Sequence, residues 1–267
     1  MSQLLADIIN LEQYPLQDED FRTDCKRVLD ENGALVMHNF LNPAAITSIR
    51  NEGEVNRHLA YYTANNHNIY LAPSDPEYPI DHPRNREVAS SKGCITTDQI
   101  PHESALRTLY DASEFREFMC AVLDEAELYE YADTLSSINL HYADEGQELG
   151  WHFDNSSFAI TLMIQEPENG GAFEYVKDVR DADSGEMNYE LAGKILDDEL
   201  PTKRLSMDAG ALALFRGRNS MHRVTPVTGN RTRMLVVLAY NTAPGISLSE
   251  AARMTFFGRL GQVSGKD

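Results

Sequence analysis

An α+β protein is what this sequence predicts, with its helices first and a sandwich or barrel of strands after them. Two observations carry that prediction. Over much of the stretch 18–131 the apolar side chains recur at helical spacing. From residue 136 onward the texture changes to short runs of β-formers separated by glycine turns. Helices followed by strands argue for segregation rather than for alternating βαβ units.

Each element has its own signal. In 18–31, Phe21, Cys25, Val28 and Leu29 share a helical stripe that Asn32 and Gly33 end. Residues 34–41 read as a strand. Asn42 then offers an N-cap side chain and Pro43 a first helical position, opening a helix to about residue 61. Residues 62–102 hold five prolines among polar residues and read as a long irregular segment, a lid or binding loop. The stretch 103–131 is helical again, with Leu106, Leu109, Tyr110, Phe115, Phe118, Met119 and Val122 as its stripe. Strands follow at 137–142, 158–165, 172–176, 211–215, 222–227 and 234–240, and 177–204 reads as a charged helical insertion.

A chain of 267 residues can bury a full core. The expected organisation is one domain over 1–267: a mainly helical part to 135 with a Pro-rich lid at 62–102, a strand core over 136–242, and a C-terminal segment over 243–267. Net charge is −19, so a polyanion is not an expected partner, and nucleic acid is set aside. A homodimer stays open. No run approaches the length of a transmembrane helix, and the N-terminus lacks a basic segment and a cleavage site, so no membrane is expected. The three cysteines, Cys25, Cys94 and Cys120, match no zinc or redox spacing and read as reduced thiols, with the cytoplasm as the compartment.

Chemistry concentrates in His152, Asp154 and His222. Two residues apart on a strand, His152 and Asp154 would share a face, and His222 would join them from a distant strand. Two imidazoles and a carboxylate can occupy one side of a metal and leave the other open, as in non-haem Fe(II) oxygenases. A catalytic zinc site takes the same residue types. Arg231 and Arg233 follow on one strand, and either guanidinium fork suits a carboxylate. Asn155, Ser156 and Ser157 directly follow the metal carboxylate and are candidates for substrate contact. So are Trp151, Arg84 and Arg86 in the Pro-rich segment, and Asn241 at the rim. His141 reads as structural, facing away from Tyr142. His38, His58, His67, His82 and His102 show no ligand spacing.

The order Tyr142, HxD, Gly170 and Gly171, His222, then Arg231 and Arg233 resembles the Fe(II)/2-oxoglutarate-dependent dioxygenase superfamily. That resemblance implies a double-stranded β-helix (jelly-roll, cupin-like) core with the N-terminal helices packed on the sheet. It also implies Fe(II), 2-oxoglutarate and O2, with Arg231 slightly favoured over Arg233 for the cosubstrate and Tyr142 near the oxoacid. The segments DHPRNREVASSKGCITTDQIP (81–101), GQELGWHFDNSSFAITLMIQ (146–165), GGAFEYVKDVRDADSGEMNY (170–189) and FRGRNSMHRVTPV (215–227) look like the bacterial family of free-amino-acid radical halogenases and hydroxylases. In its halogenases glycine replaces the metal carboxylate and frees a site for chloride; here Asp154 stands there. The resemblance therefore implies hydroxylation of a free amino acid or similar small polar metabolite. Desaturation, cyclisation or epimerisation by the same chemistry is one alternative, and a non-catalytic metal- and oxoacid-binding sensor is another.

Overall fold

The computed structural model describes residues 4–263, so the outermost residues of the expected domain, 1–3 and 264–267, lie outside the described residues. A short helix α1 (Leu5–Ile8) precedes α2 (Glu19–Asn32). The Asp18 carboxylate accepts from the Phe21 N–H at 2.8 Å to start α2. Gly33 ends it at φ 73, where its N–H donates to the Leu29 carbonyl at 2.7 Å. β1 (Ala34–Met37) is shorter than expected, because Asn39 turns the chain at φ 55. α3 (Pro43–Asn56) starts on its proline, but the Asn42 side chain does not cap it. That amide instead donates to the Ala6 and Ile9 carbonyls, tying α1 to α3.

The expected irregular segment is a correction. It contains β2 (Tyr61–Asn68) and β3 (Glu87–Ile95), paired antiparallel from Tyr61 opposite Cys94 to Asn68 opposite Glu87. β2 is largely polar on both faces, and β3 is polar through Ser90, Ser91 and Lys92 with its buried apolar residues clustered at Cys94 and Ile95, so neither shows the alternation that marks a half-buried strand. The helical stretch after them is two helices, α4 (Ala105–Asp111) and α5 (Ser113–Leu123), which ends at Asp124 with φ 64. Phe115, Phe118, Met119, Val122 and Leu123 bury the inner face of α5, each such side chain contributing about 1.5–3 kcal/mol.

The remaining strands are β4 (Ile138–Ala143), β5 (Leu149–His152), β6 (Ala159–Gln165), β7 (Asn169–Gly170) and β8 (Phe173–Val176). The charged insertion supplies α6 (Tyr189–Leu196) and an unexpected strand, β9 (Lys203–Leu205). β10 (Leu212–Phe215), β11 (Met221–Val224), β12 (Val227–Thr228), β13 (Arg233–Leu238) and α7 (Glu250–Phe257) follow. One 11-stranded sheet runs β1-β10-β6-β13-β4-β3-β5-β11-β8-β9, with β2 on β3. It curls until its ends meet: Phe173 and Tyr175 of β8 pack on Phe215 of β10, with ring centroids 4.9 and 5.3 Å apart. This is a double-stranded β-helix.

Strand parity gives the curled sheet two different faces. Leu140, Tyr142, Leu162, Met234 and Val236 point outward into the helical core. α3 lies close against them because Gly53 has no side chain; a Cβ there would sit 2.6 Å from Leu140 Cδ2. His141, Thr161, Ala213, Phe215, Arg233 and Leu235 point inward and line a cavity of about 280 Å³.

Candidate metal centre

His152 closes β5 and stands directly opposite His222 of β11. Directly opposed residues project from the same face, and here the ring centroids are 4.2 Å apart. Asp154 is not in the strand. The chain has left β5, and the Asp154 N–H donates to the Gly217 carbonyl at 3.1 Å. That bond returns the carboxylate to the two imidazoles: Asp154 Oδ1 lies 3.5 Å from His222 Nε2 and 3.9 Å from His152 Nε2.

Backbone carbonyls fix which ring nitrogen faces the carboxylate. His152 Nδ1–H donates to the Gly150 carbonyl at 2.7 Å and His222 Nδ1–H to the Ser220 carbonyl at 3.0 Å. The proton therefore sits on Nδ1 in each ring, and each Nε2 lone pair is turned inward to ligate. Burial, reinforced by His222, pushes His152 down to about 3 and keeps it neutral. Burial pulls the Asp154 carboxyl upward, but the charge that the neighbouring imidazoles carry when protonated, with that of Lys92, outweighs it and holds it below its usual range. One donor atom from each of the three residues lies within 4.8 Å of the others, and among the described residues no other acid, thiol or imidazole joins them. Three donors on one side, with a cavity opposite, fit an open catalytic metal, and the mixed nitrogen and oxygen set suits ferrous iron.

Arg233 reaches into the same cavity. It is 5% exposed, and its Nε has no hydrogen-bond partner among the described residues. Burial without a counter-charge pushes it down to about 10. A buried guanidinium facing a cavity with no carboxylate beside it is built for an anion that arrives with a ligand. Arg231 lies elsewhere. β13 begins only at Arg233, and a bend before it turns Arg231 to the surface. There it donates to the Glu166 and Pro167 carbonyls at 2.7 and 2.9 Å. The slight preference for Arg231 drawn from spacing is thus reversed by where β13 starts.

Tyr142 also faces away from the metal. Its hydroxyl donates to the Gly53 carbonyl at 2.7 Å, and its ring belongs to the helix-facing core. Its neighbour His141, read as structural, is the one that points into the cavity. Burial, with Lys92 and Arg233 nearby, holds that imidazole neutral. Of the substrate candidates, Asn155 and Ser156 border the space beside the metal residues. Trp151 points the other way, into a second core cluster, with the Arg223 guanidinium 4.7 Å above its ring. Arg84 donates to the Pro73 carbonyl, and Arg86 pairs with Asp197 and the Leu196 carbonyl. Asn241 is bridged to Tyr129 through its backbone. None of these four lines the cavity. Two further residues had no role in the sequence reading: Lys92, which enters the cavity from β3, and Gly217, whose lack of a side chain makes room for Asp154.

The halogenase D family model matches residues 17–253. Solved structures share the fold. A 2OG-Fe(II) oxygenase family oxidoreductase from Burkholderia pseudomallei is 12% identical, covering 86% of this chain and 95% of its own, with a TM-score of 0.55. HygX from Streptomyces hygroscopicus, solved with nickel, 2-oxoglutarate and hygromycin B, is 15% identical, with coverages of 84% and 88% and a TM-score of 0.56. The epimerase SnoN from nogalamycin biosynthesis is 9% identical, with coverages of 84% and 81% and a TM-score of 0.58. Among curated proteins none matches the chain. No helix among the described residues is long and apolar enough to cross a membrane.

Proposed function

The chain belongs to the halogenase D family, and from that premise we propose that it is an Fe(II)- and 2-oxoglutarate-dependent oxygenase that hydroxylates an unactivated C–H bond of a free amino acid or similar small polar metabolite. The observation that carries this reading is the orphaned Arg233 guanidinium in the cavity that the metal residues also line. His152, Asp154 and His222 hold the iron, and Arg233 takes the far carboxylate of 2-oxoglutarate. When bound, iron and 2-oxoglutarate together supply an oxidant able to remove hydrogen from carbon, with succinate and CO2 as coproducts.

The protein's own part is positioning and exclusion. Arg233 fixes one end of the dicarboxylate, so its oxoacid end is delivered to the metal face. Phe173 and Phe215 flank the His222 ring, at centroid distances of 5.4 and 4.8 Å, and wall that side against water. Asp154 decides between outcomes within the family: a carboxylate on the metal fills the position a halide would need. The reading therefore assigns hydroxylation rather than halogenation.

Succinate release tests it. It should require Fe(II) and O2, be stimulated by a free amino acid, and vanish in His152→Ala, while product mass should rise by one oxygen. Loss of two hydrogens would assign desaturation or ring closure to the same site. A protein that binds iron and 2-oxoglutarate yet releases no succinate with any amine or amino acid would refute the enzymatic reading.

A further inference from the structure

A wider cleft of about 980 Å³, bounded by β2, β3 and α7, opens onto the metal residues from outside. Ser91, Lys92, Leu149, His152 and Asp154 line both this cleft and the inner cavity, so they form the passage between the two. Among the described residues Lys92 is the only lysine or arginine in that passage. Its Nζ lies 3.4 Å from both ring nitrogens of His141, which is held neutral, and 6.0 Å from the centre of the Phe256 ring. Such long contacts to a neutral ring are weak, and Lys92 forms no salt bridge among the described residues. Burial lowers its pKa, with Cys94 and Asp154 opposing. A desolvated ammonium without an anion is costly to hold, and a carboxylate entering from the cleft would relieve that cost.

The rest of the cleft narrows the choice of that anion. Thr63, Asn65, Asn66, Ser74, Ser249 and Thr255 offer amides and hydroxyls, His67 an imidazole, and Glu87 a carboxylate that repels an anion and suits a cationic group. The cations expected from sequence to meet a substrate, Arg84 and Arg86, do not line this cleft: Arg86 pairs with Asp197, and Arg84 donates to the Pro73 carbonyl, although its Nη1 has no partner among the described residues. Arg233 lines the inner cavity and not the cleft. We propose that Lys92 is the carboxylate anchor of the primary substrate, which is therefore a carboxylic acid whose remaining polar groups meet the amides, hydroxyls and Glu87 carboxylate of the β2–β3–α7 cleft. The proposal rests on the oxygenase reading for the assignment of Arg233 to the cosubstrate.

The test is binding, read by ligand-observed NMR on protein loaded anaerobically with Fe(II) and 2-oxoglutarate. The probes are the free L-amino acids, each paired with its own carboxamide. Wild type should bind at least one free acid about tenfold or more tightly than its amide. Lys92→Met should abolish that preference, and Lys92→Arg should retain it. The metal-to-2-oxoglutarate charge-transfer band of the same samples reports whether the lysine serves the cosubstrate instead. Three results overturn the proposal: acids and amides bind alike in wild type, no acid binds, or Lys92→Met weakens 2-oxoglutarate as Arg233→Met does. Absence of the band in wild type is a different failure. It refutes the oxygenase reading, while the acid-against-amide comparison still decides the role of Lys92.

Discussion

Replacing Gly217 by alanine adds one methyl group in contact with no proposed ligand except Asp154, and it should cost the protein its metal. A Cβ at this position would sit 2.6 Å from Asp154 Cγ and nearer still to Oδ2. Carbon atoms in contact prefer roughly 3.5–4.0 Å, so the carboxylate must retreat by about 1 Å at Cγ and further at Oδ2. The backbones cannot share that shift, because the Asp154 N–H is bonded to the Gly217 carbonyl at 3.1 Å. Coordination tolerates displacements of only about 0.2 Å. Disturbing groups that merely orient ligands typically costs 10–100-fold in affinity, so displacing a ligand should cost about 100-fold or more. Anaerobic Co(II) titration followed by visible absorption measures this, with thermal melting as a folding control. In an Asp154→Ala background the same alanine should add almost nothing, since the two changes act through one group. If Gly217→Ala binds Co(II) within about twofold of wild type, the carboxylate is not held where the structure puts it, and the ligand assignment fails with it.

Other perturbations separate the remaining roles. Arg233→Met should weaken 2-oxoglutarate by about 3 kcal/mol, roughly 150-fold, in an anaerobic titration of the charge-transfer band, with Arg231→Ala as the contrast that stays near wild type. Tyr142→Phe strands the Gly53 carbonyl and should lower stability by about 1–2 kcal/mol in urea unfolding without moving the 2-oxoglutarate half-saturation. Burial, the larger cause for both thiols, pushes Cys25 up to about 11 and Cys94 up to about 12. A raised thiol pKa means less thiolate at any given pH, so at about pH 8 native Cys25 and Cys94 should alkylate roughly 100- and 1000-fold more slowly than after denaturation.

The clustering of His152, Asp154 and His222 was legible because the chemistry of a metal site constrains spacing. HxD puts two donors near one another almost regardless of local conformation, and a sheet that folds back supplies His222. The tie from Asp154 to Gly217 was not legible, since it joins two loops through backbone. Nor was the parity of β4, which decides that His141 and not Tyr142 faces the cavity. A signal was present there: Ile138, Leu140 and Tyr142 are large and apolar on one parity, whereas Asn139, His141 and Ala143 share the other. The apolar parity belongs to the helical core, so the polar one must face the barrel interior. Lys92 escaped notice because β2 is polar and β3 places its apolar residues at both ends, Val88 and Ala89 then Cys94 and Ile95, so that without alternation around Lys92 no face of β3 could be assigned to the interior.

Within the halogenase D family, the proposed hydroxylation turns on the geometry around Asp154. In this protein the carboxylate is provided for at two positions, not one. Asp154 supplies the oxygen, and Gly217 supplies the space that the carboxylate occupies, at a glycine whose φ lies outside the left-handed range. Backbone freedom is therefore not what position 217 requires of glycine; room is. Asp154→Gly alone would leave a gap next to Gly217 with nothing to fill it, so the variant should lose hydroxylation before it acquires any ordered halide site. Asp154→Gly combined with Gly217→Ala would refill that volume with a methyl group instead of a charge. Chloride-dependent product from the double variant but not from the single one would show that the outcome is set by the shape beside the metal as much as by the absent carboxylate. Equal chloride dependence in both would assign the outcome to the carboxylate alone.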